Sequence, residues 1–518
     1  MIKTRNLASA AALTLVLISS NGWTQAEPVP AAASPAAAAT DPVVKIEQGK
    51  VQGVIVNDVA VFRGLPFAAP PIGELRWRAP KPPAKWSEVR VADTFGGNCA
   101  QAEDCLYLNI YEPVDAKPTS KLPVMVWIHG GAFVFGSGSV YDGSQFAKQG
   151  VIVVTINYRL GRAGWFAHPA LTRENPKGPL GNYGLLDQIA ALQWVEDNIP
   201  KFGGDKDNVT IFGESAGAIS INYLMLAPQA RGLFDKAIAQ SGFGRLPAMP
   251  LHTDDGSSSA EQIGVRFAEK LSIKGTDAAA VKALRAVPWA QLITGQGAVG
   301  SPDATLPIAD GKLITGSAVE GFNKGAQAPV PYLLGGNSDE ASLTRRSINA
   351  AERLAAIQEG REAFLAAFDP ESSGNAERIM ARLVTDTSIS EPDRALARLH
   401  AQRGAPTYIY HFSYTPLSQR DTVLGLAHGG EIQYVFNNPR GGGSFDEEGK
   451  KIAEAANKYW AEFAKTGNPG AAGGPTWPKF DAADESLMEF PAGGIPIVQH
   501  HFHSQRLDLA EKLATKQQ

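Results

Sequence analysis

The sequence predicts an α/β protein: a central, mostly parallel β-sheet flanked by helices, with helical insertions forming a cap over a site at the sheet edge. Three observations predict it. From Leu122 onward, continuous apolar runs recur: Val124 to Ile128, Val151 to Ile156, Val209 to Phe212, Ala237 to Ala239, Tyr332 to Leu334 and Tyr408 to Tyr410. Strands apolar at every position are covered on both faces, as in a parallel sheet between helix layers. Between the runs, Leu185, Ile189, Leu192 and Val195 fall at helical spacing within Gly184 to Asn198. Finally, Gly213-Glu214-Ser215-Ala216-Gly217 stands between the run Val209 to Phe212 and a helix-forming stretch, Ala218 to Leu226.

The segments before Leu122 read differently. Lys3 and Arg5 precede an apolar stretch, Leu7 to Ile18, and Thr24-Gln25-Ala26 offers a small residue for cleavage. That order reads as a secretory signal over 1–26, the alternative being a buried N-terminal helix. Removing it takes Lys3 and Arg5 away and moves the net charge from −4 to −6. Residues 27–42, nearly all Ala and Pro, cannot bury a core and read as a tether. The folded domain is expected over 43–518, opening with antiparallel strands at Val43 to Ile46 and Val51 to Val61. Stretches 251–328 and 345–405, rich in Ala and charge, interrupt the strand rhythm and read as the capping insertions.

Composition narrows the function. With 44% apolar and 19% charged residues and a mildly negative charge, nothing suggests a nucleic-acid partner or an anionic membrane surface. No stretch after the signal is long and apolar enough for a membrane span. An exported monomer, periplasmic or secreted, is expected. The two cysteines, Cys99 and Cys105, are most simply a disulfide in an exported chain, with two free thiols as the alternative. A bridge over so short a loop contributes about 2–2.5 kcal/mol if unstrained. A metal is not expected: neither cysteine has ligand-spaced partners, and the sequence has no H-E-x-x-H and no P-loop. No cofactor is required.

The pentapeptide around Ser215 is a G-x-S-x-G nucleophile elbow in the strand–turn–helix context such an elbow needs. The rival reading is a strand-to-helix turn with a capping serine. His129-Gly130-Gly131-Ala132, at the end of the run Val124 to Ile128, matches the loop that supplies oxyanion-hole amides. Gly131 and Ala132 are expected to offer two donors and Ala216 a third, each such donor contributing roughly 2.7–4 kcal/mol. His129 itself precedes any candidate acid, whereas this constellation runs serine, acid, histidine along the chain.

Taken together, these marks resemble the type-B carboxylesterase family of α/β-hydrolases, bacterial para-nitrobenzyl esterases among them. The resemblance extends from about Val51 to Pro469. It rests also on Phe62-Arg63-Gly64-Leu65-Pro66-Phe67, Glu103-Asp104-Cys105-Leu106-Tyr107-Leu108-Asn109, Asn157-Tyr158-Arg159-Leu160, Phe202-Gly203-Gly204-Asp205 and Tyr459 to Pro469. It implies serine-dependent hydrolysis of a small-molecule carboxylic ester. It places the triad acid at Glu340, in Gly335-Gly336-Asn337-Ser338-Asp339-Glu340-Ala341, where Ala341 replaces the family's glycine. Asp339 is the competing acid. It places the base at His428, in Gly425-Leu426-Ala427-His428-Gly429-Gly430-Glu431. His500, His501 and His503, near the C-terminus, fit a solvated end. The resemblance also implies salt bridges Arg76–Glu103 and Arg159–Asp187, and a serine near the triad at Ser241, as a hydrogen-bond partner or a strand-end cap.

One departure matters. The family's choline-binding members grip a quaternary ammonium with an aromatic in a long disulfide loop. Only Ala100 to Asp104 lie between the cysteines here, none aromatic, so choline esters are not implied. A non-catalytic binding protein on the same fold, or a hydrolase of amides or lactones, remains the alternative.

Overall fold

The computed structural model describes residues 41–255, 257–297, 301, 303–345 and 349–515. The signal segment 1–26 and all but the last two residues of the 27–42 tether lie outside the described residues. An eleven-stranded sheet organises the molecule. Its strands are β1 (Val54–Val56), β2 (Val59–Pro66), β3 (Tyr107–Pro113), β4 (Leu122–Ile128), β5 (Ile152–Ile156) and β6 (Gly204–Glu214). They continue as β7 (Lys236–Gln240), β8 (Tyr332–Asn337), β9 (Thr407–Phe412), β10 (Leu487–Phe490) and β11 (Ile497–Gln499). The spatial order is β11-β10-β9-β8-β7-β6-β4-β5-β3-β2-β1. From β5 across to β10 every pairing is parallel. The outer pairings, β10–β11 at one end and β5–β3, β3–β2 and β2–β1 at the other, are antiparallel. A separate small sheet joins Val43–Lys45, Lys50–Gln52 and Arg90–Val91.

The continuous apolar runs are explained by two cores, one on each sheet face. Side chains alternate across a strand. On β4, Val124, Val126 and Ile128 join one core, and Met125 and Trp127 join the other. On β7, Ala237 and Ala239 face the first core and Ile238 the second; on β8, Tyr332 and Leu334 oppose Leu333. Helices α1 (Tyr183–Asn198) and α2 (Ala216–Leu226) cover the first face, supplying Leu185, Leu192, Val195 and Ile221. Helix α3 (Glu447–Thr466) covers the second with Ile452, Tyr459, Trp460 and Phe463. α3 is capped by Asp446, whose carboxylate accepts from Gly449 N, and ends at Gly467 in the left-handed region (φ 75°).

The insertion 251–328 carries helices Ala260–Lys270 and Ala278–Arg285; 345–405 carries Ala376–Thr385 and Glu391–Ala401. Arg76 ties the first insertion to the body. It makes a two-pronged pair with Glu103 (2.5 and 2.8 Å) and donates to Val287 O at 2.6 Å. Arg159 and Asp187 form a second, fully buried pair at 2.6 and 2.7 Å, and the Arg159 amide also donates to the carboxylate. Losing one partner of such a pair strands a buried charge, at a cost of about 3–5 kcal/mol. Cys99 and Cys105 are disulfide-bonded, and both are buried.

One buried group works against the fold. Glu112, on β3, shares a sheet face with Leu108 and Ile110, is 4% exposed, and its Oε2 has no hydrogen-bond partner. Burial alone pushes its carboxyl from 4.5 up to about 9. Between those values the folded chain holds a proton that the unfolded chain releases. Stability therefore falls as pH rises through that window. Glu112→Gln, similar in shape but unable to ionise, is expected to gain about 3 kcal/mol at pH 7 and little at pH 4. Urea unfolding at pH 4, 7 and 8.5 checks this; an equal gain at all three would exclude proton linkage.

Candidate active site

The elbow is set by a close approach of two strands. At the end of β6, Ser215 takes φ 56° and ψ −121° before α2 begins at Ala216. Side chains on Gly213 and Gly217 would put a Cβ 2.4 and 2.0 Å from the Ile128 carbonyl at the end of β4. Only glycine fits there, which accounts for the two flanking glycines in physical terms. The Ser215 amide donates to Gln240 O at the end of β7, anchoring the turn between neighbouring strands.

The loop after β4 lies against this elbow. A Cβ on Gly130 would fall 3.1 Å from that of Ser215 and 2.7 Å from Glu214 Oε2. Gly131, Ala132 and Phe133 follow at φ 106°, 51° and 62°, three successive residues of positive φ. Two hydrogen bonds hold it: Tyr158 Oη donates to His129 O at 2.7 Å, and Gly161 N to Phe133 O at 2.6 Å. The amides of Gly131, Ala132 and Ala216 donate to no acceptor among the described residues. His129 is fully buried, stacked on Tyr158 at 4.5 Å, with Nδ1 2.7 Å from Gly130 O. Burial lowers its imidazole to about 4, and its contacts point into the loop, where it shapes the backbone.

The strand ends bring the expected acid and base together. Glu340, just past β8, places Oε2 2.5 Å from His428 Nδ1. Its other oxygen accepts from Ser241 Oγ at 2.6 Å and from Asn337 N at 2.7 Å. Ser241, past the end of β7, thus hydrogen-bonds the acid. The His428 amide donates to Ser342 Oγ at 2.9 Å, fixing the loop from the far side. Asp339, the competing acid, turns its carboxylate to Arg345, while its amide donates to Leu426 O. Ala341, in the family's glycine position, sits in a short 3-10 turn, Glu340–Leu343, and has no positive φ that would demand glycine. His500, His501 and His503 are exposed at the far C-terminal end.

Two neighbours of the imidazole escaped the sequence reading. Glu214 occupies the variable second position of the elbow pentapeptide, which says nothing about its side chain. Its Oε1 lies 3.0 Å from His428 Nε2, at an angle that makes no hydrogen bond. Phe243 follows Ser241-Gly242, and its ring stands edge-on to the imidazole at 5.8 Å. Burial pushes the Glu214 carboxyl up to about 8, against the pull of His428. For His428 burial acts downward, but the carboxyls of Glu214 and Glu340 outweigh it and raise the imidazole above its ordinary value. Glu431, fully buried, accepts from Gln240 Nε2 at 2.9 Å and from Asn337 Nδ2, and burial raises it as well. Among the described residues, no group of three or more His, Cys, Asp or Glu could hold a metal ion, and no helix is long and apolar enough to cross a membrane.

Comparison with known proteins gives the family and the fold. Residues 40–509 match the carboxylesterase family. Fumonisin B1 esterase of Sphingopyxis macrogoltabida is 37% identical over 503 residues, covering 89% of each chain. Human cocaine esterase is 33% identical, covering 91% of this chain and 92% of that one. Among solved structures, a Geobacillus stearothermophilus carboxylesterase superposes with a TM-score of 0.77 at 34% identity, covering 90% of this chain and 99% of its own. A PNB esterase superposes at 0.75 with 32% identity, covering 90% and 100%. With family model, relatives and fold in agreement, this chain belongs to the carboxylesterase family: it is an α/β-hydrolase that hydrolyses carboxylic esters.

Proposed function

We propose that the chain hydrolyses a small-molecule ester through a Ser215–His428–Glu340 triad and an acyl-enzyme. The contact between His428 Nδ1 and Glu340 Oε2 carries this reading. It leaves Nε2 as the imidazole's free base, on the side where Glu214 joins the elbow. Ser215 Oγ attacks the ester carbonyl as His428 takes its proton. The carbonyl oxygen gathers negative charge against the amides of Gly131, Ala132 and Ala216. The C–O bond breaks, and His428 returns the proton to the leaving alcohol. Water, deprotonated by His428, then releases the acid and restores Ser215.

The chain is also proposed to be exported with loss of 1–26. The Lys3/Arg5, Leu7 to Ile18 and Thr24 to Ala26 pattern motivates this, and the buried Cys99–Cys105 bridge suits an oxidising compartment. One experiment reads both proposals: a fluorophosphonate is added to the secreted protein, followed by unreduced mass spectrometry. A single adduct on the Ser215 peptide, on a chain beginning near Glu27, is expected. Labelling elsewhere would defeat the triad, and an intact Met1 would defeat the signal.

A further inference from the structure

A single turn of backbone touches His428 twice. Glu340 opens the 3-10 turn Glu340–Leu343, and Ser342 lies within it. Glu340 Oε2 meets the ring at Nδ1, 2.5 Å away, and Ser342 Oγ accepts from the His428 backbone amide at 2.9 Å. Three hydrogen bonds hold the turn: Ser342 N donates to Asp339 O at 3.1 Å, Thr344 N to Ala341 O at 3.0 Å, and Ala341 N to Thr385 Oγ1 at 3.3 Å. Just before it, the acid loop and the base loop are zipped together. Ser338 Oγ accepts from Leu426 N at 2.8 Å, Asp339 N donates to Leu426 O at 2.9 Å, and Asn337 Nδ2 donates to Ala427 O at 3.1 Å. The fit is close, since a Cβ on Gly425 would fall 2.5 Å from Ser338 Oγ. The Ser342 contact carries this zip as far as the base itself.

From this arrangement we infer that Ser342 is a positioning residue of the triad: with Glu340 it grips His428 at ring and backbone, and so fixes where Nε2 stands. The inference rests on the triad reading above. A lone hydrogen bond at Nδ1 lets the ring swing about that contact. A second contact at the backbone, made from the same turn, removes that freedom. The His428 amide has no other acceptor among the described residues, so the Ser342 hydroxyl carries the contact alone. Without it the base loop can shift and the ring can part from Glu340. A misplacement of about 1 Å costs a reaction on the order of 100-fold. The imidazole is faced by the carboxyls of Glu214, Glu340 and Glu431 and edge-on by the Phe243 ring. Those carboxyls raise it against burial, so a ring parted from Glu340 titrates lower.

The test uses the full-length enzyme with Ser342→Ala, Ser342→Thr and Ser342→Val. Threonine and valine share a shape, and only threonine keeps the acceptor. Rates are taken per active site, counted by complete fluorophosphonate labelling of Ser215, so losses of folded protein cancel. With p-nitrophenyl butyrate, Ser342→Ala and Ser342→Val are expected to lower kcat about tenfold at unchanged KM, while Ser342→Thr stays within about threefold of wild type. In the alanine and valine variants the acidic limb of kcat/KM should also move to lower pH. Threonine and valine variants of equal activity overturn the inference, as does Ser342→Ala within about twofold of wild type. So does a fall in kcat with an unmoved acidic limb, which would make Ser342 a support for the fold and not for the base. Failure of fluorophosphonate to label wild-type Ser215 would instead be a failure of the triad reading.

Discussion

Ser215→Ala should lower kcat by about 10⁶, leaving only the small rate that binding and the oxyanion amides supply without a nucleophile. In the proposed mechanism the serine oxygen is the atom that bonds to substrate, so few single substitutions elsewhere can approach this. The fold should tolerate the change. Ser215 makes its structural contribution through the backbone, its amide bonding Gln240 O and its φ of 56° set by the turn. Alanine at that φ costs on the order of 1 kcal/mol, as serine already does. Steady-state hydrolysis of p-nitrophenyl butyrate, with circular dichroism to verify folding, decides the matter. A folded variant retaining more than about a tenth of wild-type activity would rule Ser215 out.

Glu340→Gln is expected to reduce kcat by up to about 10⁴, and Asp339→Asn by far less. The carboxylate of Glu340 can only accept from His428 Nδ1, so it fixes the tautomer that leaves Nε2 free. An amide can donate instead and hold the ring in the wrong tautomer. Asp339 spends its carboxylate on Arg345 and does not touch the ring. The same geometry governs pH. His428 must be neutral to act as base, and the carboxyls of Glu214 and Glu340 hold its imidazole above 6.5. The acidic limb of kcat/KM should therefore lie above 6.5, with activity lost as pH falls through it. Glu340→Gln removes one of those charges, so the residual activity should show its limb at lower pH. Kinetics of both variants from pH 5 to 9 provide the check. A crippled Asp339→Asn beside a near-normal Glu340→Gln would move the acid by one residue.

Much of this was legible in the chain because the physics involved is local. Six apolar runs marked parallel strands, since a strand covered on both faces must be apolar at every position. The two glycines around Ser215 marked the elbow, since a Cβ on either would strike the Ile128 carbonyl. Strands β3, β10 and β11 were not legible. Tyr107–Pro113 interleaves Asn109 and Glu112 with its apolar residues. Leu487–Phe490 and Ile497–Gln499 are short, and Glu489 and Gln499 sit within them. Their strand character comes from neighbours already in the sheet.

The sequence by itself determined the fold class and the glycine-flanked strand–turn–helix around Ser215, and it nominated Gly131 and Ala132 for an oxyanion loop and, through family resemblance, Glu340 and His428 as acid and base. Each rests on a contiguous motif whose spacing survives in one dimension. Only the tertiary structure decided which groups share the imidazole's surroundings. It turned Asp339 to Arg345 and Glu340 to His428, although the two are adjacent in sequence. It brought Glu214 to Nε2 and set the ring of Phe243 beside the base. Those placements depend on where the ends of β6, β7 and β8 and the loop after β9 converge. Charge coupling and steric limits act through space across separations that sequence spacing does not encode.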